Sequence, residues 1–205
     1  MSTTLLRIEA SPRGARSHSR HLTRDYTEAW QKAHPEGRVD VLDLGAAAPP
    51  LVTEGWVEGA FTPAEGHSPA AKEAIAVSDR YVDQLLAADE IVIGTPIYNF
   101  GAPAVLKAWI DQVSRAGRTF SAGPDGYKGL VVGKKARVLV ASGGDMRPGS
   151  AYWGYNFLEP HLRAVLGFLG ITDVQFVYAA NLNGGDEART QGLQEAREAA
   201  LQLAA

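Results

Sequence analysis

No cysteine occurs in this 205-residue chain, so disulfides, thiolate metal sites and cysteine nucleophiles are all excluded. An excess of either charge is missing too: 20 lysines and arginines against 23 acidic residues leave a formal net charge of −3. Nucleic-acid binders usually carry a basic surplus, and a carrier docked by charge would exploit strong acidity. Neither applies. No stretch reaches the roughly 20 apolar residues of a membrane span, and the apolar run after Met1 is too short for a signal peptide. The expectation is a cytoplasmic protein with neither a nucleic-acid nor a membrane partner. Also absent are the phosphate loop Gly-x-x-x-x-Gly-Lys-Ser/Thr, the dinucleotide fingerprint Gly-x-Gly-x-x-Gly and the hydrolase elbow Gly-x-Ser-x-Gly. His18 and His21 stand i, i+3 at a helix start without a third ligand at metal spacing, so no metal site is expected.

What is present is a regular alternation of strands and helices. Leu5–Ala10, Val39–Leu44, Glu90–Thr95, Ala136–Ala141 and Asp173–Tyr178 read as strands. From Ser19 the apolar positions Leu22, Tyr26, Ala29, Trp30 and Ala33 form one helical stripe. Ser68 and Pro69 look like an N-cap and first helical residue, opening a helix to about Ala87. Further helices are expected over Pro103–Ser114, near Phe157–Leu169 and over Glu187–Leu203. A hairpin is expected around Gly123-Pro124-Asp125-Gly126. The segment Gly45–His67 reads as a long irregular connection, with Trp56 and Phe61 packing it down as a flap. Such an alternation predicts a parallel sheet with helices on both faces, in one domain over 1–205.

In that architecture the loops after the first, third and fourth strands leave one end of the sheet, where ligands bind. The first holds Ser11 and Ser17-His18-Ser19 at the mouth of a helix. Free N–H groups and hydroxyls there hold phosphate without a lysine, although Ser17 or Ser19 also serves as an ordinary cap. A cradle of this kind suits one phosphate monoester, as in FMN, better than a pyrophosphate. The second, Gly94-Thr95-Pro96-Ile97-Tyr98-Asn99-Phe100-Gly101, joins an aromatic, an amide and bare backbone, suited to a flat ligand. A capping role for Asn99 is the plainer alternative. The third, Ser142-Gly143-Gly144-Asp145, offers two residues without side chains where a ring edge approaches closely. The basic run Arg13, Arg16, Arg20 and Arg24 reads as a solvated face or as long-range help for a phosphate.

Together these segments resemble the FMN-dependent NADH-azoreductase family of flavodoxin-like NAD(P)H:quinone reductases. The resemblance is carried by Ser11-Pro12-Arg13-Gly14 with Ser17-His18-Ser19, and by Thr95–Phe100 running into Leu106-Lys107-x-Trp109-Ile110-Asp111. Arg115-Ala116-Gly117-x-Thr119-Phe120, Gly129–Lys135 and Gly167-Phe168-x-Gly170-Ile171 add to it. It implies a three-layer α/β fold with a five-stranded parallel sheet in the order 2-1-3-4-5. It implies FMN held at its phosphate by Ser11, Ser17, His18 and Ser19, and at its ring by Pro96, Ile97, Tyr98, Asn99 and Phe100, with Ser142 to Asp145 closing the ring in. The family often has Ser-Arg-Gly-Gly in the third loop, where this chain reads Ala141-Ser142-Gly143-Gly144. The implied reaction is a ping-pong hydride transfer from NADH or NADPH, through FMN, to a quinone or azo compound. No dedicated catalytic residue is required, because the flavin carries the chemistry. A homodimer is implied, with Phe120 and Phe168 as candidates for lining the substrate space. A non-enzymatic FMN electron carrier or flavin-binding regulator is the alternative.

Overall fold

The computed structural model describes residues 3–204, so the extreme ends of the expected 1–205 unit lie outside the described residues. Among the described residues thirteen regular elements follow one another, apart from three short 3-10 turns. They are β1 (Thr4–Glu9), α1 (His18–Ala33), β2 (Arg38–Asp43), α2 (Glu54–Phe61), α3 (Pro69–Ala87), β3 (Glu90–Pro96) and α4 (Ala104–Val113). After these come β4 (Phe120–Gly123), β5 (Gly126–Gly129), β6 (Lys135–Ala141), α5 (Leu158–Leu169), β7 (Asp173–Ala179) and α6 (Asp186–Leu203). The main sheet has five strands in the order β2-β1-β3-β6-β7, every pair parallel. With the separate β4–β5 hairpin set aside, this is the expected 2-1-3-4-5 order.

Strand alternation decides what each face buries. Leu6, Ile8, Ile91, Ile93, Val138 and Val140 point to one side, where they pack with Val82 and Leu85 of α3, Leu106 and Trp109 of α4, and Leu162 and Leu166 of α5. Leu5, Val92, Leu139 and Val177 point to the other, against Leu22, Tyr26 and Trp30 of α1 and Ala196 and Ala200 of α6. Every residue of β3 is buried, as its central position requires. Trp109 is 1% exposed, and cutting it to Ala would cost roughly 3–5 kcal/mol, enough to threaten a fold of ordinary stability.

Of the two caps expected for α1 one is found, and two local expectations are corrected. Helix α1 begins at His18, and Ser17 is its cap: the Arg20 N–H donates to Ser17 Oγ at 3.4 Å. The connection after β2 is not all irregular, because Thr53 caps α2 by accepting from the Trp56 N–H at 3.2 Å. Trp56 is buried as anticipated, but Phe61 is 69% exposed and packs nothing down. Glycine at 59 lets α2 lie against α3, since a Cβ there would stand 3.0 Å from the Ile75 side chain. Ser68 and Pro69 do open α3, with the Ala71 N–H donating to Ser68 Oγ at 3.2 Å.

Candidate active site

At the C-terminal edge of the sheet lies a cavity of about 460 Å³, a size typical of small-molecule sites. One end is built by the loop after β1 and the start of α1. Ser11 and Ser17 are almost fully buried and both line the wall, with His18 beside them. The first-turn amides of His18 and Ser19 have no intrahelical acceptor, so they and the helix dipole favour an anion at this end. Ser11 is held from behind. The Arg20 guanidinium donates twice to its carbonyl, at 3.0 and 2.7 Å, and also to Asp43 at 2.6 Å. Gly45 completes that clamp, because a Cβ would stand 2.3 Å from the same carbonyl oxygen.

His18 has its pKa lowered, chiefly by burial and then by Arg13, His21 and Arg189. Its imidazole is therefore neutral at neutral pH. Arg13 and Arg189 themselves line the wall, and the positive charge of this end comes from them rather than from the histidine.

The middle of the cavity is formed by Pro96, Ile97 and Tyr98 at the end of β3. Tyr98 and Gly101 exchange both backbone hydrogen bonds, at 3.1 and 3.0 Å, closing a two-residue turn over Asn99 and Phe100. Both turn residues have positive φ, 46° and 72°, as a type I′ turn demands. For Phe100 that conformation is strained, and strain of this kind gathers at functional sites. Asn99 caps no helix: α4 starts later, behind Pro103, without a side-chain cap.

Ala141, Ser142 and Gly143 make the facing wall. They are pinned by the loop after β7, where the N–H groups of Leu182 and Asn183 donate to the carbonyls of Ser142 and Gly143 at 3.1 and 2.9 Å. A Cβ at 143 would come 2.5 Å from the Asn183 amide, so glycine is what allows this approach.

Of the residues expected to bind, eight are brought together on the wall: Ser11, Ser17, His18, Pro96, Ile97, Tyr98, Ser142 and Gly143. The remaining five lie off it. Ser19 is buried behind Ser17, the two hydroxyl oxygens 3.2 Å apart. Asn99 and Phe100 form the exposed turn tip, where Phe100 leans on Tyr155 with ring centres 5.4 Å apart. Gly144 accepts the Ser142 hydroxyl at 2.8 Å. Asp145 is committed to the Arg147 guanidinium at 2.9 and 2.7 Å, which holds its carboxyl below the usual range. Phe120 and Phe168 are away from the cavity and pack on each other, ring centres 4.7 Å apart, with Tyr127 beside them. The chain's direction explains this. Helix α4 carries it from the C-terminal to the N-terminal edge of the sheet, and the hairpin follows there, with Val131 donating to the Leu169 carbonyl at the end of α5.

Leu182, Asn183 and Arg189 line the wall without having been expected there. The loop after the fifth parallel strand leaves the same edge as the other three, and that rule was signal enough to include it. A rim of exposed aromatics, Tyr152, Tyr155 and Phe157, was also unmarked in the sequence, and it adjoins the turn through the Phe157 N–H donating to the Phe100 carbonyl at 2.9 Å. Among the described residues no group of His, Asp or Glu is arranged to hold a metal ion, and no helix is long and apolar enough to cross a membrane.

The chain matches known proteins over its length. A family profile described as the flavodoxin-like fold spans residues 3–204. An FMN-dependent NADH:quinone oxidoreductase of Nostoc punctiforme is 51% identical over 195 residues, 95% of each chain. An FMN-dependent NADH:quinone oxidoreductase of Pseudomonas putida is 43% identical over 197 residues, 96% of each. Among solved structures, an azoreductase from Bacillus anthracis superposes with a TM-score of 0.91 at 30% identity, covering 98% of both chains. An FMN-dependent NADH-azoreductase of the same species, solved with FMN, gives 0.87 at 25% identity over 99% of this chain and 100% of that one. With a profile matched nearly end to end and a relative about half identical, the chain belongs to the flavodoxin-like family of FMN-dependent NADH:quinone oxidoreductases and NADH-azoreductases.

Proposed function

We propose that the cavity holds FMN and that the protein uses NADH to reduce quinones and azo compounds. The observation that carries this reading is the cavity's two-ended chemistry. One end offers serine hydroxyls, unpaired helix amides and cations for a phosphate; the other offers backbone and a tyrosine for a flat ring. FMN held there would supply reversible two-electron chemistry between NADH and the acceptor.

The chain's own work is positioning. Ser11, Ser17 and the first turn of α1 fix the phosphate and so set the depth of the ring. The amides of Ile97 and Tyr98 already donate to Ala141 and Gly101, so the N–H groups of Asn99, Phe100 and Gly143 would be the ones to favour negative charge on the ring's polar edge. The Tyr98–Gly101 turn keeps that backbone rigid, so no reorganisation is needed as charge develops. Flat acceptors fit the exposed aromatic rim of Phe100, Tyr152, Tyr155 and Phe157, which provides stacking surface and keeps water away. Solvent serves as the proton source, consistent with a wall that holds no carboxylate.

The chain functions as one domain, in the cytoplasm, where NADH is regenerated. It pairs as a homodimer, for which the exposed Leu51, Val57 and Phe61 supply apolar surface. Pairing also gives Phe120 and Phe168 their place, beside the partner's cavity rather than their own. An electron carrier or flavin-binding regulator is not favoured, because relatives matched over 95% and 96% of this chain are named as oxidoreductases. The test is a visible spectrum followed by anaerobic NADH. Flavin bands that bleach at once, and return when a quinone is added, support the reading; a protein that cannot take up FMN ends it.

A further inference from the structure

The phosphate end of the cavity carries more positive charge than a cradle of hydroxyls and amides needs. Arg13 reaches it from the loop after β1, and Arg189 from the first turns of α6. Their elements meet at His18, whose imidazole feels both guanidiniums. The other titratable group facing that ring is His21 on α1, its ring centre 6.4 Å away, and Arg189 is itself paired with Asp186 on α6. That pair does not use Arg189 up: Asp186 is 94% exposed, so its carboxylate is hydrated and the attraction weak. Arg13 has no carboxylate partner at all among the described residues. Two arginines with free donors, brought from two elements to the wall that His18 lines at a helix start, make a site for a doubly charged oxyanion.

We infer that Arg13 and Arg189 are the residues by which this cavity selects a phosphorylated flavin over its unphosphorylated form, clasping the phosphate from two sides of the wall. The inference rests on the placement of FMN made above. A ribityl hydroxyl gives a guanidinium little to hold, whereas a phosphate dianion accepts charge-assisted hydrogen bonds from both. Each such bond is worth about tenfold in binding at a partly exposed position.

The experiment titrates flavin-free protein with FMN and with riboflavin, following flavin fluorescence, for wild type, Arg13→Gln, Arg189→Gln and the double variant. Each single change is expected to weaken FMN about tenfold, leave riboflavin unchanged and flatten the dependence of FMN affinity on salt. Proton NMR of the ligand-free protein gives a second readout. Arg189→Gln removes a repelling charge, so the His18 titration should move to higher pH. Equal losses for both flavins, unchanged FMN affinity in the double variant, or an unmoved His18 would overturn the inference. Wild type that binds neither flavin would instead overturn the FMN placement, and this inference with it.

Discussion

Gly94 sits where β3 passes beneath the first turns of α1, and a single added methyl there tests how the phosphate loop is seated. A Cβ at 94 would stand 2.7 Å from Thr23 Cγ2, 2.9 Å from Glu9 Oε2 and 3.2 Å from the Ser19 carbonyl oxygen. All three are well inside the ~3.5–4.0 Å of ordinary contact. Glu9 is 2% exposed and Ser19 is backbone in a helix, so neither has room to swing away. Overpacking of this kind costs roughly 1–3 kcal/mol, which for a chain of this size lowers Tm by roughly 2–12 °C. The strain pushes α1 off the sheet at the end that carries Ser17 and Ser19, so FMN affinity should fall as well. Thr23→Ser removes the nearest atom but keeps the hydroxyl that donates to Glu9 at 2.5 Å. Urea unfolding of the four proteins of the cycle, all without flavin so that ligand does not mask the effect, measures the coupling. The double variant should recover part of the loss, with the Glu9 and Ser19 contacts accounting for the remainder. Gly94→Ala within about 0.5 kcal/mol of wild type, or strictly additive losses, would refute the close seating of the helix.

Ser17→Ala should cost about 1 kcal/mol through the lost cap and also weaken FMN, whereas a Thr at 17 should retain most of the stability; thermal melts with and without FMN separate the two effects. Arg20→Gln releases Asp43, whose carboxyl the guanidinium holds below its ordinary 3.8. Because that folded-state pKa is depressed, the stabilisation is present above 3.8 and is lost as pH falls through the depressed value. The stability gap between wild type and variant should therefore narrow from pH 7 to strongly acid solution, and a gap of constant size would assign the whole effect to the Ser11 carbonyl. Phe61→Glu on α2 should lower the sedimentation coefficient towards that of a single chain while its circular dichroism at low temperature stays unchanged, since Phe61 is 69% exposed in the single chain. An unchanged coefficient would remove α2 from the dimer surface.

The order of strands and helices was legible along the chain because it depends on local periodicity: Leu22, Tyr26 and Trp30 mark a helix wherever it is placed. The parallel sheet followed from that alternation, and the sheet in turn indicated which loops share an edge. Turn chemistry was legible in kind but not in geometry. Asn99 and Phe100 were readable as a special loop, yet the positive φ that directs them to the tip comes from a two-residue turn closed by Tyr98 and Gly101. Helix α2 escaped notice because Trp56 is its lone buried large side chain, too few for a periodic stripe. Which side chains reach the cavity was decided by tertiary packing alone. Ser17 lines the cavity and Ser19 does not, because Ser17 is the cap outside α1 while Ser19, in its first turn, is buried behind that cap. Phe120 and Phe168 lie with the hairpin at the far edge because α4 spans the sheet before it. Arg189, so distant along the chain from Arg13, comes to His18 only because α1 and α6 share one face of the sheet. A sequence records residue types and local repeats; the meeting of remote segments is a property of the folded chain.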